Sequence, residues 1–160
     1  MITHPIPPVF DKDSKVLILG SFPSVRSREE GFFYGHPQNR FWKVTSEIFS
    51  EKVPRTIDEK KSFLLRNHIA LWDVIGSCDI EGSSDSSIRN VTVNDISVIL
   101  NEADIRSIYL NGRKAYDLYL EYLLPVTMRE GTCLPSTSPA NASWNIGKLI
   151  SAWSVIMEQC

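Results

Sequence analysis

A carboxamide, a carboxylate, a run of aromatic rings and a cluster of hydroxyls occupy places in this sequence where loops leave strands or enter helices. Asn39 falls where a long loop meets a helix, and its amide offers both a donor and an acceptor, enough to hold a water molecule or a polar ligand. Asp73 lies at the end of the apolar run His68-Ile-Ala-Leu-Trp-Asp-Val-Ile75, where a carboxylate can read a ligand edge or, if protonated, act as an acid. Phe22, Phe32, Phe33 and Tyr34 could wall or stack on a flat ring. Ser136, Thr137, Ser138 and Asn141 precede the last helix, whose free N–H groups and positive dipole end suit a phosphate. Arg26, Arg28, Arg40 and Lys43 outnumber Glu29 and Glu30 by two, a small cationic patch in a chain of net charge −2. Each group also has a plainer reading. Asn39 and the Ser/Thr cluster can be helix caps, Asp73 a loop cap, the aromatics core filling, and the basic side chains solvated surface.

The frame that must position these groups is legible in outline. The chain has 160 residues, 42% of them hydrophobic and 22% charged, with 8 Gly and 9 Pro, which excludes collagenous, low-complexity and disordered classes. A single domain over residues 1–160 is expected, with residues 1–13 as an arm leading into it. Cys78, Cys133 and Cys160 are widely spaced and accompanied by only three His, so neither a disulfide framework nor a zinc site is encoded; no metal and no cofactor are expected. No apolar stretch approaches the roughly 20 residues of a bilayer span, and the first residues lack an export signal, so no membrane partner and a cytoplasmic location are the expectation. The sequence pI of about 5.9 does not announce a strongly basic nucleic-acid binder.

Lys15-Val-Leu-Ile-Leu-Gly20 reads as a strand buried on both faces. A helix begins near Arg40, and residues 56–67 form another, with Thr56 and Glu59 at capping-box spacing. Residues 68–75 read as a second strand, residues 76–90 as loop, and Asn94 as the cap of a helix carrying Ile96, Ile99 and Leu100. A third strand over residues 105–110 stops at Asn111-Gly112. Ala115, Leu118, Tyr119, Tyr122 and Leu123 then share one helical face, residues 131–135 make a weak fourth strand, and Ile146 to Met157 mark a last amphipathic helix. Strands alternating with helices imply an α/β fold with a parallel sheet covered on both faces and a ligand site at the carboxyl ends of its strands.

At those ends the sequence becomes specific. Gly20-Ser-Phe-Pro-Ser-Val-Arg-Ser27, followed by Gly31-Phe-Phe-Tyr-Gly-His-Pro-Gln-Asn-Arg-Phe-Trp-Lys43, resembles the first motif region of the uracil-DNA glycosylase superfamily, especially its mismatch-specific branch. Leu134-Pro-Ser-Thr-Ser-Pro-Ala-Asn-Ala142 is similar to the superfamily's second motif, a His-Pro-Ser-Pro-type loop between the last strand and last helix. The details resemble the hypoxanthine-DNA (deoxyinosine) glycosylases.

That resemblance implies a three-layer α/β/α sandwich with a central four-stranded parallel sheet, and a monofunctional, monomeric hydrolase without cofactor. Its substrate would be DNA containing deoxyinosine or another deaminated base, left with an abasic site. Asn39 would position water; Ser21, Phe22, Tyr34, Asp73 and Asn111 would bind the extruded base; Ser136, Thr137, Ser138, Asn141, Arg40 and Lys43 would hold the DNA. Residues 81–88 are associated with the same branch, though a Ser/Gly/Asp run by itself is only a turn signal. Two departures matter. Phe22 stands where many members carry Asp or Asn, and Ser136 where uracil-specific members carry His. Both argue against the alternative, a mismatch-specific uracil or thymine glycosylase. A non-catalytic α/β module binding a nucleotide at the same strand ends is the third reading.

Overall fold

A computed structural model describes residues 1–160. The chain opens with a short strand β1 (Ile2–Thr3) and then β2 (Val16–Gly20), in which every residue is buried, as a strand covered by helices on both faces requires. Helix α1 (Val25–Glu30) follows within the long first loop; the Ser24 side chain accepts the Ser27 N–H at its start, and Gly31 closes it at a φ of 76°. Next come α2 (Phe41–Ile48) and α3 (Ile57–Arg66). Thr56 caps α3 through the Glu59 N–H, as the spacing predicts, while the Glu59 carboxylate reaches back one residue further, to the Arg55 N–H.

Strand β3 (Ile69–Asp73) turns at once into β4 (Ile75–Asp79), which pairs with β5 (Arg89–Val93). After α4 (Ser97–Leu100), β6 (Ser107–Asn111) leads into α5 (Arg113–Leu118), which passes through one widened π turn over Tyr119–Leu123 into α6 (Leu124–Thr127). Strand β7 (Gly131–Leu134) and α7 (Ile146–Trp153) complete the fold.

The main sheet has the order β3-β2-β6-β7, all parallel. Residue alternation along β2 divides the core: Val16 and Ile18 face one apolar cluster with residues of α2, α3 and α7, while Leu17 and Leu19 face the other with residues of α4 and α5. The result is three layers, helix, sheet and helix, as the resemblance implies. The strand register places Gly20 opposite Asp73, and Asn111 opposite Leu134, so four chain segments emerge along one edge. No helix is long and apolar enough to cross a membrane.

Three expectations need correction. Residues 76–90 are not simply loop, because β4 and β5 join β1 in a second, antiparallel sheet. Their Ser, Asp and Asn residues conceal strands whose pairing is irregular and whose outer face is exposed. Asn94 does not cap a helix; its amide donates to the Asp73 and Ile75 carbonyls and ties the two sheets together. Nor is the N-terminal segment a loose arm. Ile2 and Thr3 pair with Cys78 and Ser77, Val9 bridges to Leu71, and Ile6 and Val9 are buried in the core.

Candidate active site

The loops at the carboxyl edge of the main sheet enclose a cavity of about 340 Å³, within the range of pockets that hold small organic ligands. Gly20, Ser21, Phe22, Tyr34, Asn39, Asp73, Asn111 and residues 136–140 all line it, so four segments far apart in sequence meet there. Lys43 is exposed on the outside of α2 and does not take part.

One wall is a closed hydrogen-bond network. The Asn39 side-chain oxygen accepts the Phe41 N–H at 2.9 Å and the Thr137 hydroxyl at 2.9 Å. A backbone N–H can only donate, so Oδ1 must be the atom facing Phe41, and the Asn39 amide N–H group is the part left for the cavity. Thr137 is fully buried; its hydroxyl also accepts the Asn111 amide at 3.0 Å, and its own N–H donates to the Asn111 Oδ1 at 3.0 Å. The order Asn111 to Thr137 to Asn39 is thus a relay that fixes how the Asn39 amide is turned. The plain helix-cap reading of Asn39 is not met, since the cap position of α2 is Arg40, which makes no side-chain cap bond; Asn39 holds the Phe41 N–H from one residue earlier.

Arg40 reinforces this wall from behind. Its guanidinium donates to the carbonyls of Ser138 at 2.8 Å, Asn141 at 3.1 Å and Trp144. Such fork geometry clamps the loop and leaves the side chain engaged inside the protein rather than free for a phosphate. The DNA-contact expectation for Thr137 needs the same correction, because the residue is buried. Ser136 and Ser138 turn their hydroxyls onto the loop's own N–H groups at Ser138 and Ala140. Asn141 donates to the Ser136 carbonyl. These residues shape a loop and do not sit at a helix N-terminus, since α7 starts later, capped by the Asn145 side chain. Of the basic patch, Arg26 pairs with Glu30 at 2.7 Å and Arg28 binds the Gly82 carbonyl at 2.7 Å beside the Phe22 ring. Asn111, expected to bind a base, has both amide atoms on Thr137 and is better described as a support for Asn39.

The other wall is open. Asp73 is buried, and its Oδ2 lies 2.7 Å from the Nε2 of His4. Its Oδ1 lies so close to Gly20 that a Cβ there would come within 2.5 Å of it and within 3.1 Å of the Tyr34 hydroxyl, so only glycine fits. The Tyr34 ring stacks on Phe41 with centroids 4.3 Å apart, and its buried hydroxyl has no hydrogen-bond partner. Burial, and then the nearby Asp73, push the phenol well above its ordinary pKa, so it stays a donor. Phe22 meets the His4 ring edge-on at 5.8 Å. Phe32 and Phe33 are core residues, though Phe33 also touches the cavity.

Ser83 and Asp85, within the segment 81–88 that resembles the same branch but carries no residue role of its own in the sequence, both line the cavity. They arrive because residues 81–88 pack against the first loop: Ser83 accepts the Val25 N–H at 2.9 Å, and Ser21 donates to Asp85 at 3.0 Å. Asp85 is exposed on the outer side of its loop, but its carboxyl is crowded where it meets Ser21; that partial desolvation, with a smaller push from Asp73, shifts its pKa upward. His36, at the rim, accepts the Gln38 N–H through Nδ1 and leaves Nε2 as its outward atom. His4 is the other residue missed.

Comparison with known proteins agrees in fold and length. The family model described as the uracil DNA glycosylase superfamily matches residues 7–155. A protein named hypoxanthine DNA glycosylase from Methanosarcina acetivorans is 37% identical over 158 residues, 98% of each chain. One of the same name from Methanosarcina barkeri is 34% identical over 137 residues, 84% of this chain and 85% of its own. The solution NMR structure of a candidate uracil DNA glycosylase from Methanosarcina acetivorans superposes with a TM-score of 0.83 at 36% identity, over 98% of this chain and 97% of its own.

Proposed function

The chain belongs to the uracil DNA glycosylase superfamily, and from that premise we propose that it is a monofunctional DNA glycosylase acting as a monomer on deaminated bases, chiefly hypoxanthine. It hydrolyses the N-glycosidic bond of deoxyinosine in DNA and leaves an abasic site.

The observation that carries this reading is the convergence of two groups on one cavity: the Asn39 amide, turned by a relay, and the Asp73 Oδ1, with no protein donor. Breaking an N-glycosidic bond passes through an oxocarbenium-like sugar, so a water need only be well placed, not strongly basic. Asn39 suits that task. Its oxygen is occupied, and its N–H donates to the water oxygen, fixing the water beside C1′ of the extruded nucleoside.

The base is held by its edge and its face. Hypoxanthine presents an N1–H donor beside an O6 acceptor; Asp73 Oδ1 accepts the first and the Tyr34 hydroxyl donates to the second. Adenine, from which hypoxanthine arises, presents the reverse pattern and sets a lone pair against the carboxylate. Phe41 stacks on the Tyr34 ring and so holds the Tyr34 hydroxyl at the base edge. Phe22 supplies apolar wall, and Ser21 anchors Asp85 over the cavity.

The test is a panel of duplexes carrying deoxyinosine, deoxyuridine, deoxyxanthosine and ethenodeoxycytidine, scored for free base and for strand integrity. Release of hypoxanthine as the preferred product with the strand intact is the expected result. Preference for uracil would favour a mismatch-specific glycosylase, and tight binding without any base release would favour a binding module.

A further inference from the structure

The base-reading carboxylate is set by a residue outside the segment that matches the superfamily. His4 lies ahead of residues 7–155, and the N-terminal segment carries it under the cavity floor. Its side chain and that of Asp73 are only 3% and 4% exposed. Resting on the function proposed above, we infer that His4 is the positioning residue for base selection, holding Asp73 as a pure hydrogen-bond acceptor toward the bound base.

The tautomer follows from the backbone. The Ile6 N–H donates to His4 Nδ1 at 3.1 Å, so that nitrogen carries a lone pair. The ring is then a neutral imidazole with its one proton on Nε2, directed at Asp73 Oδ2 at 2.7 Å. Oδ2 is satisfied, and Oδ1 remains to accept from a ligand. The ring is held edge-on to Phe22 and Trp72, and its backbone N–H is bonded to the Gly76 carbonyl at 2.7 Å. The other ionisable groups along this side of the cavity, Tyr34 and Asp85, make no hydrogen bond to Asp73.

Without the His4 donor, Oδ2 is buried and unmatched. A carboxyl group in that state turns or takes up a proton, and once protonated it offers a donor as well as an acceptor. The distinction between an N1–H and an N1 lone pair then blurs. His4 touches no base; it acts through Asp73.

Two isosteric substitutions separate this role from general support. In His4→Asn the side-chain oxygen can still accept the Ile6 N–H, but nothing reaches Asp73. In His4→Gln the terminal amide N–H can replace Nε2. Single-turnover release of free base is measured from duplexes carrying deoxyinosine or deoxynebularine, which lacks both N1–H and O6, alongside thermal melting. The expected result is a fall of about tenfold or more in hypoxanthine release for H4N. Preference over nebularine should narrow in H4N, and H4Q should recover to within about threefold of wild type.

Equal losses in H4N and H4Q, no loss in either, or loss in H4N with unchanged base preference would overturn the assignment. Should H4N melt below the assay temperature, the nitrogen-15 spectrum of His4 in the wild type decides: a proton on Nε2 alone is expected, and one on Nδ1 refutes it. A wild type that releases no base from any duplex refutes the proposed function itself, whereas an active wild type with unaffected His4 variants refutes only the role of His4.

Discussion

The two walls of the cavity use hydrogen bonds in opposite ways. On the Asn39 side nearly every polar atom already has a partner within the protein: Asn111, Thr137 and Asn39 form a relay, and Arg40 gathers the carbonyls of the loop around it. On the Asp73 side a carboxylate oxygen and a buried phenol hydroxyl beside the cavity have no partner within the protein. A fully satisfied network is rigid and leaves one group in one direction, which suits placing a water. An unsatisfied pair is a demand that only a complementary ligand meets, which suits recognition.

Breaking the rigid wall at its working end should have the largest effect. Asn39→Ala is expected to slow base release by roughly hundredfold or more, since misplacing one reacting group by about an ångström has that effect. DNA binding, measured by anisotropy, should change only a few-fold; release near the wild-type rate would remove Asn39 from the mechanism.

On the open wall, Asp73→Asn replaces an acceptor with a group that can donate. Release of hypoxanthine should fall by about ten- to hundredfold, the worth of a hydrogen bond to a charged group, and preference over nebularine should shrink. A uniform loss across bases would contradict the reading role.

Thr137→Val removes the hydroxyl in the middle of the relay while keeping its volume. Stability should drop by about 1–3 kcal/mol because buried amide groups lose a partner, and release should slow by roughly tenfold. Combined with Asn39→Ala, the two losses should be strongly non-additive; simple additivity in a double-mutant cycle would mean the relay does not orient the amide.

Tyr34→Phe should split stability from activity. The hydroxyl has no partner in the free protein, so its removal should leave the melting temperature unchanged or raise stability by about 1 kcal/mol. Hypoxanthine release should nonetheless fall. A destabilised variant of full activity would show the reverse assignment.

The smallest effect concerns Asp85. Its pKa is raised in the folded protein by desolvation, so the folded state prefers the protonated form, and stability is lost as pH rises through that raised value. Asp85→Asn, which keeps an acceptor for Ser21, should therefore stabilise the protein at neutral pH and have little effect below the ordinary carboxylate range. Thermal melting across pH 3 to about 8 checks the sign.

The sequence shows far more of the sheet and its loops than of the bonds between them. Val16–Gly20 declares a doubly covered strand by composition; Asn39 and Asp73 stand out because they close or leave such elements, and Tyr34 through its place in the tract that resembles the superfamily's motif. What stays hidden is tertiary. Nothing local tells that Arg40 will find the carbonyls of Ser138 and Asn141, or that Thr137 will be buried rather than exposed to DNA. Residues 81–88 look like a plain turn, yet their docking on the first loop brings Asp85 to the cavity.

His4 left a faint trace. Pro5, Pro7 and Pro8 stiffen the segment in an extended form, and Ile6 and Val9 are apolar residues that a free arm has no use for. Together they mark a strap laid on the core. Its one titratable ring between Thr3 and Pro5 is then delivered inward.

The central claim is a division of labour: Asn39 sets the rate of hydrolysis and Asp73 sets which base is accepted. Single-turnover release of hypoxanthine and of purine from nebularine by N39A and D73N, measured side by side, tests it directly. N39A should slow both bases by the same factor and leave their ratio untouched, while D73N should collapse the ratio. A changed ratio in N39A together with an unchanged one in D73N would contradict the account.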